Sequence, residues 1–226
     1  MGTLYIVATP VGNMEDITLR AVRILNEADL IVAEDTRVTG KLRQRHGITT
    51  PMKSYHQRSA DKVADEIIDL LGEGKTLALV TDAGTPGIAD PGNELIARIV
   101  KEVPDVKIEP IPGASSLTAA LSVAGFPTNE FVFLGFLPHK KGRQTLLKKI
   151  EATEETVVLF ESPHRIGKLL AELTARVPER HCAVFRELTK LHESHYRGTV
   201  AELTAQCDAK KILEKGEFVV VLGPSR

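Results

Sequence analysis

The chain has 226 residues, and its 29 Lys and Arg against 30 Asp and Glu give a formal net charge of −1, which excludes a generally basic nucleic-acid-binding surface but allows local basic patches. Apolar residues make up 42% and charged residues 26%, as in an ordinary globular protein. No apolar run reaches the roughly 18 residues of a membrane span, and the N-terminus lacks a signal-peptide pattern. Cys182 and Cys207 are isolated and match no metal or redox spacing. We therefore expect a cytoplasmic protein without a metal site.

Strand and helix patterns alternate through the first half of the chain. Short apolar runs predict four buried strands, at residues 4–8, 30–33, 77–81 and 106–111. Helical spacing of apolar residues predicts a helix capped by Asp16, another from Ser59, and a third that begins at Asp90-Pro91. Such alternation predicts a mainly parallel sheet that is covered on both faces.

The second half opens with an alternating, aromatic-rich strand. Strand-like runs occur at residues 130–136, 156–161, 182–187 and 218–222. Ser162-Pro163 indicates the start of a helix whose apolar residues keep helical spacing to Val177, and a polar stretch covers 192–198. Because strands crowd together here with fewer helices, we expect a mixed sheet. The sequence therefore predicts an α/β fold of two domains, residues 1–115 and 116–226.

Glycine-rich or polar loops follow the predicted strands of the first half, at residues 8–13, 34–37, 82–92 and 112–116. The loop at 82–92 holds three Gly, two Pro and two Asp, and it contains neither of the common nucleotide-loop patterns. Ligands of open α/β sheets bind just beyond the carboxyl ends of the strands, where glycine lets backbone approach closely. This loop is therefore the strongest ligand-binding candidate in the chain.

The other loops have structural interpretations that stay open at this stage. Residues 8–13 could form a plain strand-to-helix turn, residues 34–37 an ion pair, and Ser115 or Ser116 a helix cap. Further ionisable groups end strands or helices in the second half, at residues 160–165, 186–190 and 215–217. A crevice between the two domains would let both sets of loops reach one small-molecule ligand.

Eight of these motifs occur in order along nearly the whole chain: residues 4–13, Glu34-Asp35-Thr36-Arg37, Ser54-Tyr55-His56, 82–92, Pro112-Gly113-Ala114-Ser115-Ser116, Gly135-Phe136-Leu137-Pro138, Glu161-Ser162-Pro163-His164-Arg165 and Arg186-Glu187-Leu188-Thr189-Lys190. Together they resemble the ribosomal RNA ribose methyltransferases of the tetrapyrrole methylase superfamily. The resemblance implies an S-adenosylmethionine-dependent homodimer that methylates the 2′-hydroxyl of a cytidine in the decoding region of small-subunit (16S) ribosomal RNA.

The resemblance also implies a cofactor site in the cleft between the domains. The residues carried over to it are Pro10, Val11, Gly12, Gly84, Thr85, Pro86, Ile88, Ser115, Ser116, Phe160, Glu161, Gly216 and Glu217. A ribose hydroxyl is a weak acid, so some group should accept or steer its proton. The catalytic candidates are Asp35, Arg37, Glu161, Glu187 and Lys190. The lysine could act as a base only if burial lowered its pKa.

Two basic clusters could contact RNA phosphates. One comprises Arg37, Lys41, Arg43, Arg45 and His46, and the other Lys140, Lys141, Arg143, Lys148 and Lys149. Aromatic residues are only 4% of the chain, which favours shape and phosphate contacts over base stacking. The alternatives are a small-molecule methylase acting on a tetrapyrrole, a non-catalytic cofactor-binding factor in ribosome assembly and, less favoured, a phosphate-handling enzyme.

Overall fold

The computed structural model describes residues 2–55, 60–90 and 92–225. The chain divides into two compact units, Met1–Ser115 and Ser116–Arg226. The predicted helix start at Ser59, the helix-start proline Pro91 and the motif residue His56 lie outside the described residues. No helix within the described ranges is both long enough and apolar enough to cross a membrane.

The first unit is a parallel sheet with helices on both faces. Its elements are β1 (Thr3–Val7), α1 (Leu19–Glu27), β2 (Leu30–Ala33), α2 (Thr36–His46), β3 (Met52–Ser54), α3 (Ala60–Gly72), β4 (Thr76–Val80), α4 (Gly92–Glu102) and β5 (Lys107–Ile111). The five strands lie in the order β3-β2-β4-β1-β5, and every pairing is parallel. The predicted parallel sheet is confirmed.

Alternate strand residues of this sheet pack against different helices. One face carries α1 and α2, in a core that includes Val7, Ile31, Val80, Leu25 and Leu42. The other carries α3 and α4, in a core that includes Leu4, Val32, Leu79, Ile67 and Leu95. The connections that leave the neighbouring strands β1 and β4 therefore run to opposite faces. A position where neighbouring strands send their connections to opposite faces is a topological switch point. Ligands of α/β sheets bind there, at the carboxyl ends of the strands.

The second unit contains the predicted mixed sheet. Its elements are α5 (Ser116–Ala124), β6 (Phe131–Phe136), α6 (Arg143–Ala152), β7 (Thr156–Glu161), α7 (Ile166–Thr174), β8 (His181–Arg186), β9 (Ser194–Thr199), α8 (Val200–Asp208) and β10 (Phe218–Leu222). The strand order is β6-β7-β10-β8-β9, in which β6 and β7 are parallel and the remaining pairs antiparallel. Helices α6, α7 and α8 pack on one face of the sheet and α5 on the other.

Two predicted helix starts are wrong. Helix α1 is capped by Thr18 rather than Asp16, because the Thr18 hydroxyl accepts the N–H of Ala21 at 3.0 Å. Helix α7 begins at Ile166 rather than at Ser162-Pro163. The Ser162 N–H is held by the Glu161 carboxylate at 2.7 Å, and the following residues form a turn before the helix begins.

Arg143 is not part of an exposed basic cluster. Its side chain is 3% exposed, and its guanidinium lies 2.6 Å from the Glu172 carboxylate. It also donates to the carbonyl of Pro138 at 3.3 Å. The prediction of an RNA contact at Arg143 is therefore wrong, because a guanidinium at this buried position needs the carboxylate as its partner. Its neighbours Lys140 and Lys141 are exposed, as predicted.

We expect Glu172→Ala to lower the free energy of unfolding by about 3–5 kcal/mol, since it leaves the Arg143 charge buried without its carboxylate partner. Glu151→Ala is the matched control, because Glu151 pairs with Arg176 at 2.8 Å while remaining 47% exposed. An exposed pair of this kind contributes about 0–1 kcal/mol. Urea unfolding followed by circular dichroism measures both, and equal losses in the two variants would contradict a structural role for Arg143.

Candidate active site

The loops that follow β1, β4 and β5 are hydrogen-bonded to one another at the carboxyl edge of the first sheet. Thr9 and Gly84 form an isolated antiparallel bridge, in which the Thr9 N–H donates to Gly84 O at 2.9 Å and the Gly84 N–H to Thr9 O at 3.1 Å. The Thr9 hydroxyl also donates to the carbonyl of Thr81 at 3.0 Å. The Thr85 hydroxyl donates to the carbonyl of Ala114 at 3.2 Å. These bonds place three of the predicted ligand loops side by side.

Gly84 lies at the centre of this arrangement. Its φ of +84° is one that side-chain-bearing residues rarely adopt. A Cβ at Gly84 would lie 3.7 Å from Ala114 O, 3.8 Å from Val11 Cγ2 and 3.9 Å from Ser115 Cα. Four residues predicted to bind a cofactor are thereby gathered in the first unit: Val11, Gly84, Thr85 and Ser115.

The remaining predicted cofactor residues of the first unit lie on the same loops. Pro10 is half-buried, Gly12 is exposed, and Pro86 is buried. Ile88 is 44% exposed, which is unusual for a large apolar side chain and leaves it accessible to a ligand.

The loop after β4 is held in shape by Asp90. Its carboxylate accepts the N–H of Gly87 and the N–H of Gly92, each at 2.8 Å. The second bond satisfies an N–H at the start of α4, in agreement with the helix-start role predicted for Asp90. The backbone of this loop is therefore fixed from within as well as by the Thr9–Gly84 bridge.

Three carboxylates follow β2 and β4, and their surroundings differ. The Glu34 carboxylate accepts the Thr81 hydroxyl at 2.6 Å and the Asp82 N–H at 3.3 Å. The Asp82 carboxylate accepts the Asp35 N–H at 3.1 Å. Burial, and then the charge of Glu34, raise the pKa of Asp82 above its ordinary value. Hydrogen bonds thus join the loop at 34–37, which holds the catalytic candidates Asp35 and Arg37, to the glycine-rich loop.

Asp35 has two structural tasks. Its carboxylate caps α2 by accepting the Arg37 N–H at 2.8 Å, and it also accepts the Arg37 guanidinium Nε at 3.0 Å. These bonds from Arg37 lower the pKa of Asp35 to about 2. The carboxylate therefore stays ionised and is a weak proton acceptor. The Arg37 side chain is 88% exposed, so it remains accessible on its outer side.

In the second unit, Glu187, Lys190 and Glu217 form a clamp. The Lys190 ammonium lies 2.9 Å from both carboxylates, and the Glu217 N–H donates to Glu187 at 2.8 Å. Burial alone would lower the pKa of Lys190, but hydrogen bonds to Glu217 and Glu187 outweigh it and raise the pKa. The condition under which Lys190 could act as a base is not met, because its two anionic partners keep it protonated.

Gly216 makes room for this clamp. A Cβ at Gly216 would lie 2.4 Å from both Cγ and Cδ of Glu187, and the φ of Gly216 is +84°. Glu187 itself has a positive φ of 53°, so the strand end is tightly turned on both sides of the contact. The predicted cofactor residues Gly216 and Glu217 thus have a clear structural task beside the catalytic candidate Glu187.

Glu161, at the end of β7, is buried with one oxygen unsatisfied. Its Oε1 accepts the Ser162 N–H and lies 3.3 Å from the Arg165 Nε, whereas its Oε2 is buried without a hydrogen-bond partner among the described residues. A buried acceptor without a donor lowers the stability of the folded state.

The neighbouring Phe160 is half-buried and packs edge-on against Phe133 and Phe136, with ring centroids 5.0 and 5.6 Å away.

Sequence patterns alone do not identify the residues that brace the loops. Thr9 and Thr81 were included only as strand or loop ends, and Asp82 was not a catalytic candidate, although all three connect loops after different strands. The sequence signal that could have identified Thr9 and Thr81 is a hydroxyl residue at the end of an otherwise apolar strand. Ser116, the remaining predicted cofactor residue, is half-buried at the first position of α5.

Comparison with known proteins identifies the class to which this fold belongs. The sequence model of the family described as Tetrapyrrole (Corrin/Porphyrin) Methylases matches residues 3–204. Among solved structures, a uroporphyrin-III-C-methyltransferase from Thermus thermophilus is 22% identical, with a TM-score of 0.67 over 100% of this chain and 96% of that one. A diphthine synthase is 16% identical, with a TM-score of 0.74 over 99% and 90%. At these identities the likeness shows the fold alone.

Closer relatives carry a single name, "Ribosomal RNA small subunit methyltransferase I". The protein of this name from Thermotoga maritima is 44% identical over 98% of both chains. That from Synechocystis sp. is 48% identical over 98% of this chain and 79% of its own, and that from Halalkalibacterium halodurans is 45% identical over 98% and 75%. The chain therefore belongs to the tetrapyrrole methylase family, within its ribosomal RNA small subunit methyltransferase I group.

We expect Gly216→Ala to destabilise the protein by about 2–3 kcal/mol, because it combines an unfavourable φ with a clash against Glu187. Gly125→Ala is the matched control, since Gly125 has a similar φ of +79° and nothing within 4 Å of the added Cβ. The control should cost only about 1 kcal/mol. Denaturant unfolding compares the two variants, and losses of the same size would show that Glu187 yields without cost.

Proposed function

We propose that this protein is an S-adenosylmethionine-dependent methyltransferase that modifies the ribose 2′-hydroxyl of a cytidine in the decoding region of small-subunit ribosomal RNA. The observation that carries the proposal is the Thr9–Gly84 bridge, which together with the Thr85–Ala114 hydrogen bond aligns three loops at the switch point of the sheet. It occurs in a chain whose relatives at 44–48% identity are named as methyltransferases of this RNA. Such a protein would work in the cytoplasm, where small ribosomal subunits are made.

The residues present fit such a cofactor. The Gly84 backbone carries no side chain where three loops meet, so a ligand can approach its main chain closely. The Oε2 of Glu161 meets no donor in the described part of the chain, and a hydroxyl or amine of the cofactor would supply one. When bound, the cofactor contributes a methyl group on a sulfonium. The residues proposed to hold it are Pro10, Val11, Gly12, Gly84, Thr85, Pro86, Ile88 and Ser115 in the first unit, and Ser116, Phe160, Glu161, Gly216 and Glu217 in the second.

The catalytic candidates take different proposed tasks in this scheme. Asp35 holds the guanidinium of Arg37 in place, and Arg37 presents its exposed side to an RNA phosphate. Lys190, kept protonated by Glu187 and Glu217, acts as a fixed positive charge toward the substrate rather than as a base. Glu161 binds rather than transfers protons, since Arg165 and the Ser162 N–H occupy its other oxygen. The chemistry then depends mainly on positioning.

A cationic ridge on α2 favours an RNA substrate. Arg37, Lys41 and Arg45 are exposed and four residues apart, so they recur along one helix face at about 6 Å steps. The other two members of the predicted cluster are engaged within the protein. Arg43 donates to the carbonyl of Thr49 at 2.8 Å, and the ring of His46 lies 3.2 Å from the carbonyl of Met14. We call the three exposed residues Arg37, Lys41 and Arg45 the α2 ridge.

A tetrapyrrole or other small-molecule methylase is the alternative that the family description itself suggests. Two observations favour RNA over it. The relatives named for ribosomal RNA are about twice as identical to this chain as the uroporphyrin enzyme is. The α2 ridge also begins next to Asp35, at the edge where the ligand loops meet, and suits phosphates better than a large apolar ring. The homodimer and the domain cleft implied by the resemblance remain predictions.

The test is transfer of labelled methyl from S-adenosylmethionine to small ribosomal subunits that lack this modification, followed by nucleoside analysis. We expect labelled 2′-O-methylcytidine, and no incorporation into subunits that already carry the methyl group. If the protein binds the cofactor but leaves the RNA unlabelled, a small-molecule substrate or a purely binding role replaces this proposal. Naked RNA assayed in parallel identifies whether the assembled particle is required.

We expect the double variant Lys41→Ala/Arg45→Ala to weaken RNA binding and to flatten its salt dependence. The slope of log K against log salt should fall by about 0.7 for each lost phosphate contact with single-stranded RNA. Lys101→Ala is the control, because Lys101 is exposed on α4, on the opposite sheet face. Filter binding across a salt series measures the slope. A slope equal to that of the wild type would remove the α2 ridge from the interface.

A further inference from the structure

Methylation of a hydroxyl requires a group that takes the proton, and most of the ionisable candidates in the two units already bind other groups of the protein. Asp35 is paired with Arg37, whose hydrogen bonds lower its pKa to about 2. Lys190 is held between two carboxylates, and Glu187 is one of them. Each of these groups is therefore a poor proton acceptor at neutral pH.

Glu161 and Glu34 are also occupied. Glu161 is buried and bound to Arg165 and the Ser162 N–H. Glu34 accepts the Thr81 hydroxyl and the Asp82 N–H through the same oxygen, so it braces the ends of β2 and β4. Glu161 is 1% exposed and its Oε2 is already assigned to the cofactor, and Glu34 is half-buried. Neither carboxylate is exposed to a large substrate.

Asp82 differs from these groups in its exposure and in its partners. It is exposed, and it is the second residue after β4, at the edge where the glycine-rich loop begins. No cation binds its carboxylate within the described residues, and only its Oδ1 is engaged, by the Asp35 N–H at 3.1 Å. That single bond fixes the carboxylate in orientation, while its other oxygen is left for a substrate.

We propose that Asp82 is the general base that accepts the proton of the ribose hydroxyl, an inference that rests on the proposed methyl transfer. The O–H bond of the hydroxyl breaks as its proton passes to the free oxygen of Asp82, while the hydroxyl oxygen forms a bond to the methyl carbon. The carbon–sulfur bond breaks and its electron pair stays on sulfur, which becomes a neutral thioether. Charge and atoms balance, since a carboxylate and a sulfonium give a carboxylic acid and a thioether.

The charged groups that face Asp82 come from the end of β2 and the start of α2. Partial burial of the carboxylate raises the pKa of Asp82 most, the charges of Glu34 and Asp35 raise it further, and the Asp35 N–H and the charge of Arg37 oppose the rise. A base must be ionised to act, so the rate should fall as the pH drops through a pKa above the ordinary value for an aspartate. The acidic limb of the pH–rate profile therefore belongs to Asp82.

The experiment compares Asp82→Asn with the wild type in single-turnover methylation of small subunits. Asparagine keeps an oxygen that can accept the Asp35 N–H, so the loop contact is retained. We expect a loss of about 100-fold or more in the rate, disappearance of the acidic limb, and an unchanged dissociation constant for S-adenosylmethionine measured by calorimetry. Asp82→Glu, which keeps a carboxylate, should retain an acidic limb.

Asp29→Asn is the matched control. Asp29 precedes β2 and accepts the N–H of Thr76, the first residue of β4, at 2.8 Å, so it joins the same two strands as Asp82 does but at their opposite ends. This substitution should leave the rate unchanged. Retention of the acidic limb in Asp82→Asn, or a rate near that of the wild type, would overturn the inference. So would weaker binding of the cationic cofactor but not of neutral S-adenosylhomocysteine, which would mean that Asp82 only attracts the sulfonium. A wild-type enzyme inactive on RNA would instead overturn the proposed function.

Discussion

The carboxyl edge of the first sheet, where the predicted ligand loops meet and which we call the ligand edge, depends on the bridge between Thr9 and Gly84. This bridge joins two loops whose strands are neighbours in the sheet but lie about 70 residues apart in the chain. Thr81 and Asp82, and the Thr85 hydroxyl that donates to Ala114, add further hydrogen bonds to the loop after β4. With the bridge in place, the backbone of Gly84 lies beside Ala114 and Ser115. The fold thus brings together the main-chain groups of three loops at this edge, whatever side chains the loops carry.

The carboxylates beside this bridge show how environment divides tasks among chemically similar groups. Asp35 is neutralised by Arg37, Glu34 accepts two donors from the β4 end, and Asp82 keeps an oxygen free. The same division recurs in the second unit, where Lys190 satisfies two carboxylates at once and Glu161 has one oxygen satisfied and one not. Sequence neighbours such as Glu34 and Asp35 consequently bind different partners: Glu34 braces the end of β4, and Asp35 caps α2 and holds Arg37.

Much of the fold could be predicted because burial leaves a strong pattern in sequence. Strands β2 and β4 are apolar runs, and the mixed sheet followed from the crowding of strands. Strand β9 was missed because it is a polar edge strand, and α2 because only Thr39 and Leu42 on it are buried. The loops of the site were predicted, but not their partners. Which carboxylate meets which donor, as with Arg143 and Glu172, depends on contacts that periodicity does not encode.

The order of strands in the first unit has a consequence for how the protein is made. Strand β1 leaves the ribosome first, yet both of its partners, β4 and β5, are synthesised last in this unit. Strand β1 therefore remains unpaired until its first partner β4 (Thr76–Val80) has been synthesised, and its apolar residues are exposed during that time. The ligand edge, which needs the loops after β1, β4 and β5 together, is completed only when nearly all of the first unit has been translated.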